Sequence, residues 1–244
     1  MMNMVQVSRV AKRHTARREE ILRVARAAVE AEGLDGLTIK GLAVELDCAV
    51  GTLYTYFPSK AALVAAMQAD AIRRLGAAYA AVAERLEPEV LRGSEGERPL
   101  ARLVLFGRSA IASERHLPDE VHLQQRLLTT PGIFGSAEYD AVTGVAFEVL
   151  ARPQGLLAEA VAQGALRAGD AFDRTLRWIA ATSGVLLLRG IQHPGAGVFD
   201  TRVLADDLTT DLLLGWGADA DLLAAAAARI PFAAVDDALT EVLS

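Results

Sequence analysis

The sequence predicts an all-α protein. Three observations carry that expectation: strict alternation of apolar and polar residues is scarce, β-branched residues are dispersed, and long Ala/Leu/Arg/Glu-rich segments repeat their apolar positions at helical spacing. At 244 residues, 52% of them hydrophobic, the chain can fill the core of one large or two modest domains.

Taken in order, residues 1–15 read as a basic N-terminal arm: the first eighteen residues hold Arg9, Lys12, Arg13, Arg17 and Arg18 and no acid. A first helix follows over about 16–31, with Ile21, Ala25, Ala28 and Val29 on one face and Gly33 as its stop. Thr38 can cap a short second helix whose Ile39, Leu42, Ala43 and Leu46 fall at i, i+3, i+4 and i+7. The third helix buries Leu53 and Phe57, with Val50 or its neighbour beside them. Pro58 and Ser59 end it, and Ser59 caps a long fourth helix striped by Leu63, Met67, Ala71, Leu75, Ala78, Val82 and Leu86. The sequence EPEVLRGSEGERP, residues 87–99, reads as a loop. Further helices are expected at about 100–114, 118–128, 138–150, 156–163, 171–189, 201–215 and 219–229. Pro153 should kink or break its region, and Gly164, Gly169, Gly190 and the HPGAG of residues 193–197 mark other ends. The last residues continue past this series with no role the sequence specifies.

Charge is segregated along the chain. Residues 1–60 hold nine Lys/Arg against seven Asp/Glu, a net of +2, which leaves 16 against 24, a net of −8, for residues 61–244. A basic head on an acidic body is compatible with a nucleic-acid partner that the overall charge of −6 would argue against. One cysteine, Cys48, excludes an internal disulfide framework and suits a reducing compartment. No signal peptide or membrane-length apolar run is apparent, so a cytoplasmic protein without a membrane partner is expected.

Two short helices joined by LDCAV have the spacing of a helix-turn-helix, in which the first helix braces the second and the second enters the major groove of DNA. With Leu53 and Phe57 inward, Gly51, Thr52, Thr55 and Tyr56 remain for a partner. Small and hydroxyl-bearing side chains permit close approach to base edges, while Tyr and Lys reach phosphate oxygens. The plainer alternative is an αα-hairpin packed in a core.

The stretch TIKGLAVELDCAVGTLYTYFPSKAAL resembles the N-terminal domain of TetR-family transcriptional regulators, in which a Thr-capped helix and a turn precede GTLYxYFxSKxxL at the opening of a long fourth helix. Thr52, Leu53, Tyr54, Tyr56, Phe57, Ser59, Lys60 and Leu63 match in register, and the likeness covers about the first 65 residues. It implies a three-helix DNA-binding domain over residues 16–60, joined by the fourth helix, from about residue 59, to a helical effector-binding and dimerisation domain over 61–244. It also implies that Thr52, Thr55 and Lys40 face bases, that Thr38, Tyr54, Tyr56 and Lys60 contact phosphates, and that Leu53 and Phe57 hold the recognition helix to its brace. The family usually has Gly at the turn and a hydroxyl residue capping the recognition helix, where this chain has Asp47 and Ala49. Val50 stands where a polar or basic residue is common. Facing inward it joins the core, and facing DNA it packs on a thymine methyl; the sequence leaves both open.

The resemblance further implies a homodimer on a palindromic double-stranded operator, and an unidentified small-molecule effector that releases it. Plausible pocket residues among the middle helices are Tyr79, Phe106, His116, Gln124, Phe134, Tyr139, Phe147 and Trp178, each of which could equally be ordinary core. For the dimer interface, Phe172, Leu176, Ile179, Ser183 and Leu186 or Leu187 share one helical face and Leu204, Leu208 and Leu212 another, and their alternative is an intramolecular hairpin. Glu114, His116, Glu120 and His122 lie close in sequence, but Pro118 interrupts the spacing, so a solvated helix end is preferred to a metal site. No nucleophile elbow, phosphate loop or acid pair accompanies the histidines, so neither catalysis nor a cofactor is expected. The competing function is a helical small-molecule binding protein or enzyme whose N-terminal hairpin does not touch DNA.

Overall fold

The computed structural model describes residues 2–129, 136–188 and 200–244. Phe134, Arg189, Gly190 and the HPGAG segment lie outside them. The described residues form eleven helices and no strand: α1 (Met2–Gly36), α2 (Ile39–Glu45), α3 (Val50–Tyr56), α4 (Lys60–Leu91), α5 (Arg98–His116), α6 (Pro118–Thr129), α7 (Ser136–Ala162), α8 (Ala171–Leu187), α9 (Thr201–Gly215), α10 (Ala220–Arg229) and α11 (Phe232–Leu243).

The chain divides into two compact units, the first made of residues up to Ala71 with His122–Val145, the second of Ile72–Val121 with Ala146–Ser244. In the first, Ile21, Leu22 and Ala25 of α1, Leu42 and Ala43 of α2, Leu53 of α3 and Leu63 and Met67 of α4 bury one another, joined by Leu37, Leu46 and Phe57. In the second, α5 is the central helix: Leu100, Ala101 and Leu103 are fully buried, and α9, α10 and α11 all pack against it.

Three boundaries differ from the sequence expectation. Helix α1 begins at Met2 instead of near residue 16, because nothing between Val5 and Ala16 interrupts helical geometry; where a stop was expected, Gly33 with φ +74° breaks its regular geometry before the chain runs on to Gly36. Helix α4 runs through Pro88 to Leu91, so the expected loop shrinks to residues 92–97. The burial of Leu86 and of Val90, which is wholly inaccessible, holds that last turn against the proline. Helix α7 likewise continues through Pro153, with Leu157 and Ala160 buried beyond it, where a break was expected.

The C-terminal segment is part of the core. In α11, Val235 and Leu239 are fully buried with Ala238 beside them, and Ile230 closes the preceding turn. A polar knot fastens it. Arg108 of α5 donates two hydrogen bonds to Asp206 of α9, at 2.9 and 2.7 Å, and two more to the carbonyls of Ala227 and Ile230, at 2.7 and 2.6 Å. Phe232 lies under the guanidinium groups of Arg108 and Arg202, and Asp236 accepts from Arg202 at 2.7 Å and pairs with His116 at 3.1 Å. Burial alone would raise the Asp236 carboxyl, but these two partners outweigh it and hold it below its ordinary range. At the same C-terminal end of α10, Arg229 pairs with the buried Glu97, which also accepts from the Ser94 amide at 3.3 Å.

The Arg229 guanidinium holds the Glu97 carboxyl below its ordinary value of 4.5. A carboxyl with a depressed folded pKa binds fewer protons folded than unfolded. Its stabilisation is therefore present above pH about 4.5 and lost as pH falls through the lower folded value. Glu97→Gln should lower stability at neutral pH and flatten the acid limb of a urea-denaturation profile measured from pH 7 to 3. An acid limb identical to the unsubstituted protein's would remove Glu97 as a source of the pH dependence.

Candidate functional site

The first unit presents a helix-turn-helix whose parts are fixed by local chemistry. Thr38 caps α2, its Oγ1 accepting from the Gly41 amide at 3.0 Å. The turn after α2 is a Schellman motif: the Cys48 amide donates to the Ala43 carbonyl at 2.9 Å and the Asp47 amide to that of Val44 at 3.2 Å. This motif needs a left-handed residue, and Asp47 supplies it at φ +46°, the single non-glycine residue with positive φ among those described. Ala49 then precedes α3 with no side-chain cap, so the amides of that first turn lack the acceptor a Ser or Thr would supply.

Across α3, Leu53 and Phe57 are buried, Thr52 and Tyr56 half-buried, and Val50, Gly51, Tyr54 and Thr55 exposed. Val50, whose orientation the sequence leaves open, is 39% accessible: it stands at i to the i+3 and i+7 of Leu53 and Phe57, but as the first residue of α3 it is left partly uncovered at the start of that stripe. The Thr55 hydroxyl donates to the Thr52 carbonyl at 2.6 Å, which leaves its lone pairs outward as acceptors. Lys40 on α2 is exposed. Lys60 is exposed too, and its Nζ donates to the Leu34 carbonyl at the end of α1, at 3.0 Å, so one of its three donors is committed within the unit.

The supports of α3 from α1 went unnoticed in the sequence. The His14 ring stacks on Tyr56 with centroids 4.6 Å apart and planes at 27°. The Arg18 guanidinium lies 5.1 Å from the Phe57 ring centroid, and Arg17 donates to the Leu46 carbonyl at 3.2 Å. Their sequence signal is the helical spacing of His14, Arg17 and Arg18 before Ile21, which runs across the boundary at residue 15 between the basic stretch and the first expected helix. Cys48 is half-buried and packs against the core of this unit.

The second unit holds a cavity of about 490 Å³ lined by α4, α5 and α7. Tyr79, Ala83, Leu105, Phe106 and Leu156 form much of its wall, and Glu87, Arg102, Arg152 and Glu159 bring charge to it. Arg102 bridges the two acids, donating to Glu87 at 2.6 Å and Glu159 at 3.0 Å. Tyr79 and Phe106 meet edge to face at 5.4 Å, and Trp178 packs on Phe106 from behind at 5.5 Å while donating to Thr209 at 3.1 Å. Burial pushes the Tyr79 phenol up to about 12, against a lowering by its hydrogen bond with Ser113.

Of the residues expected at a pocket, Tyr79 and Phe106 line this cavity and Trp178 backs it. His116 does not, because its ring is committed to Asp236. Phe147 and Tyr139 are more than half exposed, and Gln124 is half-buried within the first unit. No group of three or more His, Cys, Asp or Glu among the described residues could hold a metal ion, and no helix among them is long and apolar enough to cross a membrane.

Helices α8 and α9 pack against each other and leave an apolar face outward. Leu176, Leu187 and Leu204 are exposed on it, as are Leu188, Val203 and Leu214. Phe172, Ile179, Ser183, Leu208 and Leu212 are half-buried, with Leu208 turned towards Ile111, Val185 and Ala205 and Phe172 against Phe147.

Residues 21–67 match the family model for bacterial regulatory proteins of the tetR family. A comparison with curated protein sequences finds no match. Among solved structures, a protein of unknown function from Rhodococcus sp. RHA1 superposes with a TM-score of 0.60 at 22% identity, over 82% of this chain and 94% of that one. A bacterial regulatory protein in the tetR family from Rhodococcus RHA1 gives 0.57 at 15% identity, over 83% and 97%. AibR, in complex with isovaleryl coenzyme A and operator DNA, gives 0.54 at 17% identity, over 81% and 98%. At these identities the likeness is one of fold.

The uncapped start of α3 yields a direct expectation. Ala49→Ser should raise the stability of the folded protein by about 1 kcal/mol, since a serine hydroxyl there can accept from an α3 amide. Urea denaturation measures it, and no gain would mean that the first turn of α3 is already satisfied by solvent.

Proposed function

We propose that the chain is a DNA-binding transcriptional regulator of the tetR family that acts as a homodimeric repressor, released from a palindromic operator by a small-molecule effector; the match of residues 21–67 to that family's model supports the reading. The observation that carries the DNA-facing part is the outward face of α3: Val50, Gly51, Tyr54 and Thr55 stand exposed on a helix anchored from behind by Leu53 and Phe57. A core hairpin has no use for such a face. Thr38, Tyr54, Tyr56 and Lys60 are the side chains for phosphates, with Thr52, Thr55 and Lys40 for base edges.

The apolar face of α8 and α9 supports the dimer. Leucines at 44%, 47% and 38% exposure, Leu176, Leu187 and Leu204, recur along two adjacent helices, and a second copy related by a twofold axis would cover both sets at once. The twofold would present two α3 helices to two half-sites, hence a palindrome. The cavity supports the effector: its volume suits a small molecule, and its wall combines aromatic and aliphatic surface with a few polar groups. AibR, solved with an acyl coenzyme A and operator DNA together, is a relative in fold that holds both kinds of ligand. Release requires that the effector bind the DNA-free state more tightly, and by linkage the operator must then weaken the effector to the same degree.

Selection from a random duplex library should enrich a palindrome with the unsubstituted protein and a weaker or no consensus with Tyr56→Ala. No enrichment from folded protein, with or without candidate effectors, would favour a helical binding protein that leaves DNA alone. Leu187→Glu should give a monomer by light scattering and lower operator affinity at least about 100-fold, the loss of a second linked half-site. A dimer that persists would move the interface elsewhere.

A further inference from the structure

Helix α3 carries no charged side chain and no Asn or Gln in VGTLYTY. The residues that read guanine and adenine through paired hydrogen bonds are Arg, Lys, Asn and Gln, so the two strongest direct codes are absent from the helix itself. What its exposed face offers instead is a hydrocarbon side chain, Val50, beside a glycine, Gly51. Gly51 is not required by the protein. Its backbone is ordinary helix, and a Cβ built there meets nothing within 4 Å. A helical glycine costs roughly 0.5 to 1 kcal/mol relative to alanine, so the fold alone would favour a larger residue. A bare backbone on an exposed face is useful when another surface must come very close.

Together these features describe a helix edge that meets its partner by van der Waals contact. The one base-pair group in the major groove that rewards such contact is the C5 methyl of thymine. Thr55 adds only outward lone pairs, because its proton is committed to the Thr52 carbonyl. We infer that Val50 packs on a thymine methyl, with Gly51 allowing the approach, so that each operator half-site contains a thymine required for its methyl group and not for its hydrogen bonds. This rests on the DNA-binding reading above. It makes Val50 a specificity-determining residue.

The test uses the full chain and its selected operator. Each thymine is replaced in turn by deoxyuridine, which keeps the pairing and the O4 acceptor and removes only the methyl. At one thymine per half-site the replacement should weaken binding roughly fourfold, the worth of about one methyl group taken out of water. Val50→Ala should weaken the parent duplex by a similar factor and be indifferent to deoxyuridine at that same position. Because Val50 is exposed, the variant should keep the melting temperature of the unsubstituted protein, which separates lost contact from lost fold. Uniform tolerance of deoxyuridine, or a penalty that persists undiminished in Val50→Ala, overturns the inference. Failure to bind the unmodified duplex at all overturns the regulator reading instead, and the two failures are distinct.

Discussion

A seven-residue helix cannot hold itself together in water, because fixing its first turn costs more than its few hydrogen bonds return. Everything α3 presents outward therefore depends on Leu53 and Phe57, which are buried among α1, α2 and α4 and fix its rotation about its own axis. Given that rotation, the exposure of Gly51, Tyr54 and Thr55 follows from helical geometry, and Val50 is exposed as the first residue of the helix. The Schellman turn sets the angle at which α3 leaves α2, and it does so with Asp47 in a conformation where glycine is the easier residue. Neither the turn nor the start of α3 is locally optimal, so tertiary burial carries the helix. The His14 stack and the Arg17 contact with Leu46 extend this dependence back into α1, so that the basic N-terminal stretch belongs to the scaffold of the interface.

The second unit is organised around α5 in a comparable way, but with polar anchors where the first uses apolar ones. Arg108 satisfies two carbonyls at the end of α10 and a carboxylate on α9 from one planar group, a geometry a lysine could not reproduce. The carbonyls at a helix C-terminus are the groups a buried helix end most needs to satisfy. Ile230, in the turn between α10 and α11, can therefore be buried, and Val235 and Leu239 can reach the core. The same packing takes His116 out of the cavity and makes it a partner of the C-terminal helix.

The helices, their caps and the helix-turn-helix were legible because each rests on local pattern: Thr38 and Ser59 cap α2 and α4, and Gly33 breaks the regular geometry of α1. What escaped was decided by contacts distant in sequence. Pro88 and Pro153 read as breaks because a proline costs a hydrogen bond, yet each lies where buried residues on both sides hold the helix. The aromatic residues could be ranked for a pocket only by position. Tyr79, Phe106 and Trp178 converge in one edge-to-face series, whereas Phe147 and Tyr139, equally suitable in composition, face outward. Val50 could not be oriented because it is the first residue of its helix, where the buried stripe begins.

Charge placement limits how the head can meet DNA. An uncharged α3 supplies no phosphate neutralisation, and the body, at −8, repels a polyanion. That repulsion is screened beyond about 8 Å at physiological salt, so only acidic groups within that distance of the DNA oppose binding. Within reach, Arg17 and Arg18 are already engaged with Glu20, the Leu46 carbonyl and the Phe57 ring, and Lys60 with Leu34. Lys12 and Arg13 are exposed cations of α1 that remain for phosphate. Each phosphate neutralised on duplex DNA adds about 0.9 to the slope of log affinity against log salt. A handful of such contacts per head confers modest non-specific affinity. Close fit along α3, where a valine and a glycine stand in place of charge, then adds discrimination to what the hydroxyls of Thr52 and Thr55 can read.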